Sequence, residues 1–141
     1  MHNRFAAGAA ALLLLMAGAA SAETLKYMAQ LKGPAEVPAN TTAGTGTVMA
    51  TLDTGSKAFD YTITYSGLTG PAMAAHFHGP AAPGSNAPPV VMVMGISSPK
   101  TGAATLTDAQ IADLKAGMWY FNIHTAAHPG GEVRGQLTPT P

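Results

Sequence analysis

An all-β fold of about eight short antiparallel strands, a sandwich or barrel with one short helix near 107–116, is predicted by the sequence. Apolar and polar residues alternate with a period of two in most segments, as half-buried strands require. Gly and Pro punctuate the gaps, at Gly33-Pro34, Gly55, Gly70-Pro71, Gly79-Pro80, Pro83-Gly84 and Pro129-Gly130-Gly131. A single segment breaks that rhythm with helical spacing.

The strands follow in order. In TLKYMAQL, Leu25, Tyr27, Ala29 and Leu31 oppose Lys26, Met28 and Gln30. In TGTVMATLD, Val48, Ala50 and Leu52 oppose Thr47, Met49 and Thr51. AFDYTITYSG is the clearest, with Phe59, Tyr61, Ile63 and Tyr65 on one face and Asp60, Thr62, Thr64 and Ser66 on the other. AMAAHFH, PVVMVM, GAATL, MWYFNIH and GEVRGQL complete the set. The helix is LTDAQIADLKAG: Thr107 is placed to cap it, Gln110 to close a capping box, and Gly117 to stop it. The ending Leu137-Thr138-Pro139-Thr140-Pro141 is expected to fray.

The first 22 residues read as a cleaved secretory leader. Arg4 supplies the positive charge, Phe5 to Ala19 the apolar run, and Ala20-Ser21-Ala22 the cleavage site. That run of about 15 residues is short of the roughly 20 that a membrane span needs. The expected organisation is therefore a leader at 1–22, one domain at 23–138 and a frayed tail at 139–141. It places the mature chain outside the cytoplasm, periplasmic or secreted, with no membrane span once the leader is removed.

Seven basic and seven acidic side chains balance in the whole chain. Losing Arg4 leaves a slight acidic excess, with no basic patch for nucleic acid. Cysteine is absent, which excludes disulfides, a thiol nucleophile and thiolate metal sites. No G-x-S-x-G elbow or glycine-rich phosphate loop occurs.

Of the five histidines, His2 lies in the leader and the other four form two tight groups. Strand parity points His76 and His78 the same way, with Phe77 opposite. Parity likewise sets Trp119, Phe121 and Ile123 against Tyr120, Asn122 and His124, and Val133 and Leu137 against Glu132, Arg134 and Gln136. With the large apolar side chains inward, His76, His78, His124, His128, Glu132 and Arg134 converge on one outer surface. This pattern admits two readings: a histidine site for copper or zinc, or a polar network that ties strands together. Glu132 and Arg134 read most simply as an ion pair. Met92 and Met94, in an apolar strand, read as core filler rather than thioether ligands.

The motifs in their order resemble the CHRD domain, the module first named from repeats in chordin. Those motifs are Leu31, Gly33, Glu36, Val37 and Pro38; Gly44; Tyr65-Ser66-Gly67-Leu68; His76-Phe77-His78-Gly79-Pro80; Gly117 through Thr125; and His128 through Gln136. The likeness covers residues 25 to 138 and implies an immunoglobulin-like antiparallel β-sandwich. The leading reading, which rests on strand parity, is a non-enzymatic binding module with His76, His78, His124 and His128 as candidate ligands for copper or zinc. Bacterial members resemble copper–zinc superoxide dismutases in motif layout. By that analogy His76, His78 and His124 would be copper ligands in a dismutase-like enzyme, and Arg134 an anion-steering residue. A purely structural or adhesive module is the third reading. The protein partner is left unspecified.

Overall fold

The computed structural model describes residues 21–141; most of the expected leader lies outside the described residues. Each alternating segment becomes a strand: β1 (Thr24–Lys32), β2 (Thr45–Asp53), β3 (Ala58–Ser66), β4 (Ala74–His78), β5 (Pro89–Val93), β6 (Lys100–Thr105), β7 (Tyr120–His124) and β8 (Val133–Gln136). A two-residue β9 (Thr138–Pro139) follows. The expected all-β antiparallel architecture is present, built as one nearly closed sheet in the order β5-β4-β7-β8-β1-β2-β3-β6.

Its two halves join weakly in register. β1 pairs with β2 over nine residues, whereas β1 meets β8 in the ladder only at Lys32 opposite Arg134. The sheet turns at that junction and folds one half over the other, so the apolar faces meet like the layers of a sandwich. Phe59 of β3 packs edge-on against Phe77 of β4 at 5.2 Å and against Trp119 at 5.7 Å. Val48, Leu52, Ile63, Phe121, Ile123, Val133 and Leu137 fill the space around them and are fully buried. The inward sets are those the alternation marks, because one face of each strand must leave water.

α1 (Asp108–Lys115) connects β6 to β7. The capping box is complete: Gln110 N–H donates to Thr107 Oγ1 at 3.2 Å, and Thr107 N–H donates to Gln110 Oε1 at 2.9 Å. Leu114 is its one buried residue, so local capping matters to a helix held by so little packing. Replacing Thr107 with Ala is expected to cost about 1 kcal/mol in chemical denaturation.

The chain end differs from expectation. Thr138 and Pro139 pair with Met28 and Tyr27, and Thr140 N–H donates to the Lys26 carbonyl at 2.9 Å. Free backbone groups on β1 beside β8 give the tail a partner.

Candidate metal centre

His76 and His78 project from the outer face of β4. The adjacent strand β7 sets Asn122 opposite His76, Tyr120 opposite His78, and His124 opposite Ala74. Parity thus brings His76, His78 and His124 together, with ligand nitrogens within 4.8 Å of one another. His128 is not in that group. It lies on the loop after β7, beside a groove lined by Val37, Pro38, Asn40 and Pro129.

The His76–His124 pair is the tightest part. His124 Nδ1 lies 2.9 Å from the Pro129 carbonyl. That oxygen can only accept, so Nδ1 carries the proton and Nε2 of the neutral ring presents its lone pair. His76 Nδ1 faces this lone pair at 3.2 Å. Two nitrogens bound to one tetrahedral metal at about 2.0 Å stand about 3.3 Å apart. A proton bridges the pair as it stands, and a metal fits the same edge with little rearrangement. The carbonyl behind His124 is the outer-sphere acceptor that orients metal-bound histidines. Burial holds the His76 pKa below the ordinary histidine value, and proximity to His124 and His78 lowers it further. Its ring therefore stays neutral, the form that ligates.

His78 has a different environment. Nδ1 lies 2.8 Å from the Ala87 carbonyl and Nε2 3.0 Å from Asn122 Oδ1. The ring stacks on Tyr120 at 4.6 Å with an interplanar angle of 3°. Burial lowers its pKa, an effect that outweighs the bonds to Ala87 and Asn122. As a ligand it must give up Asn122, so it is the reserve member of the trio.

Asn122 also faces Glu36, a 4 % exposed carboxylate. Burial pushes Glu36 up to about 7, against the opposing pull of the Arg134 charge and the Asn122 hydrogen bond. Its Oε1 has no hydrogen-bond partner. The row Ala87–His78–Asn122–Glu36 is satisfied by one proton in either of two places. With an imidazolium at His78, Asn122 Oδ1 accepts and Glu36 is ionised; with neutral His78, the amide is turned over and Glu36 holds the proton. The raised Glu36 and lowered His78 values favour the second arrangement at neutral pH. Gly131, at φ 130°, keeps this spot open, since a Cβ there would collide with the Glu36 carboxylate and the Asn122 amide.

The remaining residues of the expected surface patch are placed differently. Parity is right but exposure is not: Tyr120, Asn122 and Arg134 are all buried, Tyr120 and Arg134 against the loop 79–88 and Asn122 between His78, Glu36 and Gly131. Arg134 donates to Asn86 Oδ1 at 2.8 Å and to the Ser85 carbonyl at 2.5 Å. Its guanidinium lies 3.4 Å from the centre of the Tyr120 ring. Held this way at 2 % exposure, it does not reach solvent to steer an anion. Gln136 ties the same loop down, donating to the Ala81 and Gly117 carbonyls, each at 2.8 Å.

The expected Glu132–Arg134 ion pair does not form. The Glu132 carboxylate accepts from Thr42 Oγ1 at 2.6 Å, Thr125 Oγ1 at 2.6 Å, and Thr69 N–H and Oγ1 at 2.8 Å each. Burial alone would raise its pKa, but the bonds from Thr125, Thr42 and Thr69 outweigh that and bring it down to about 2. Among the described residues the one ion pair is Lys57–Asp108, on the surface. Nor are Met92 and Met94 core: they are 56 % and 77 % exposed, while their neighbour Val93 is buried. Alternation within VVMV carried that signal, because Val91 and Val93 take the inward positions.

Residues 27–137 match the family model of the CHRD domain. The chain belongs to the CHRD domain family. The matched span takes in every strand that bears a candidate ligand, as well as the loops over Arg134 and Glu132. No curated protein matches the chain, and no solved structure does. Among the described residues, no helix of this CHRD protein is long and apolar enough to cross a membrane.

Proposed function

We propose that this CHRD domain is an exported, non-enzymatic binding module for copper or zinc, held by His76 and His124 with His78 as third ligand. The observation that supports it is the 3.2 Å separation of two imidazole nitrogens, one ring oriented by a backbone carbonyl. Export rests on the leader-like first 22 residues. The absence of cysteine suits an oxidising compartment, where an all-imidazole site survives and a thiolate site does not. His128, outside the trio, is a candidate fourth ligand only if its loop folds inward.

Thermal unfolding of the metal-free mature domain tests this reading. A hundredfold excess of Cu²⁺ or Zn²⁺ over its dissociation constant is expected to stabilise the domain by about 2.7 kcal/mol. For a domain of this size that raises Tm by roughly 10 °C. Replacing His76 and His124 together with Gln should abolish the rise, and no rise in the wild type would overturn the proposal. Acid should also release the metal, because protonated imidazole does not ligate. With the His76 pKa lowered, release is expected below the ordinary titration range near about 6.5.

A further inference from the structure

Among the described residues, the exposed large hydrophobic side chains are Met49, Met73, Met92 and Met94. All four are thioethers; no Leu, Ile, Phe or Trp shares their exposure. Three of them stand beside the histidines. Met92 pairs directly with His76 across β4 and β5, and directly paired residues share a face with Cβ atoms about 5 Å apart. Alternation puts Met94 on the same side. Met73 immediately precedes β4, and its N–H donates to the His124 carbonyl at 2.9 Å.

Hydrophobic burial does not account for Met92, which leaves more than half its surface in water on the outward face. Val91 and Val93, on the other face, serve the core instead. Thioether sulfur is a soft donor that favours Cu(I), whereas the hard carboxylates that would favour other ions are missing from the histidine group. Cu(I) accepts the low coordination number that two imidazoles and one thioether supply. A flexible, unbranched side chain set opposite His76 can close such a site without moving the backbone.

We propose that Met92 completes the site as a thioether ligand and makes the module selective for Cu(I), with His76 and His124 as its nitrogen ligands. This rests on the histidine reading above and specifies its cargo. Copper is bound in the reduced state in which it arrives, so no electron transfer is invoked.

The test uses the mature domain under anaerobic reducing conditions, with Cu(I) partitioned against a chromogenic Cu(I) chelator. Met92→Leu, which conserves volume and removes the sulfur, is expected to weaken Cu(I) binding by about tenfold or more. The same variant should leave the Zn²⁺-induced rise in Tm unchanged, and Met49→Leu, on β2, should alter neither. Copper X-ray absorption should show a sulfur scatterer in the wild type that is lost in Met92→Leu. Wild-type Cu(I) affinity in Met92→Leu, with the Zn²⁺ response intact, would overturn the thioether assignment and leave the histidine site standing. If the wild type responds to neither Cu(I), Cu²⁺ nor Zn²⁺, the histidine reading fails and this inference fails with it.

Discussion

Glu132→Ala is expected to destabilise the domain by about 4 kcal/mol, among the largest effects of any single substitution here. The carboxylate is fully buried and accepts four hydrogen bonds from three threonines. Bonds to an ionised acceptor contribute more than neutral ones, and truncation strands the buried Thr125 hydroxyl besides opening a cavity. Thr42 precedes β2, Thr69 follows β3 and Thr125 follows β7, so the one side chain gathers three connections. Tm should fall by roughly 15 °C in a thermal scan. The penalty should also depend on pH. A carboxylate with a depressed pKa contributes stability above its unfolded value of about 4.3, and that contribution is lost as pH falls toward the folded value of about 2. The gap between wild type and variant should therefore narrow over that acid window. An Ala variant as stable as the wild type at pH 7 would show that the threonine cage is incidental.

Glu36 should produce the opposite slope. Its folded-state value of about 7 lies above that of an unfolded glutamate. Stability linked to its proton is full below about pH 4.3 and is lost as pH rises through 7. The lowered pKa values of His76 and His78 act in reverse, favouring the fold above about pH 6.5 and weakening it as pH falls. The two trends partly cancel in the wild type. Glu36→Gln should remove one of them, so that its stability relative to wild type improves by about 3 kcal/mol between pH 4 and pH 8. Urea denaturation of both proteins across that range reads the difference directly. Parallel profiles would mean that Glu36 titrates as it does in the unfolded chain.

Much of the architecture was legible because strand parity is a local property. The alternation in AFDYTITYS identified the buried Phe59, Tyr61 and Ile63, and H-F-H placed two histidines outward and Phe77 inward. Thr107 and Gln110 marked the helix start through contacts three residues apart. The site was legible to the same depth, since His76, His78 and His124 meet by parity across two neighbouring strands. What parity does not contain is what lies over a face. Arg134 and Asn122 both lie on the outward side, yet the loop 79–88 covers the first and Glu36 with Gly131 closes over the second. Two residues apart on one strand face, Glu132 and Arg134 read as partners in the sequence. The Glu132 carboxylate's actual donors, Thr42 and Thr69, come from 90 and 63 residues away, and nothing in their type marks them. For Met92 the alternation with Val91 and Val93 points outward, against the usual place of methionine in cores.

The loop 79–88 is gripped almost wholly by its main chain. His78 faces the carbonyl of Ala87, while Arg134 and Gln136 donate to those of Ser85 and Ala81. Asn86 is the exception, because its own side chain accepts from Arg134. Recognition of this kind is blind to what the clamped residues display outward. Ala82, Pro83 and Ser85 are exposed, and apart from Gly84, which a φ of 85° holds to glycine, the segment has room to change its chemical lettering while its path stays fixed. The fold thereby holds a writable strip against the wall of its histidine site.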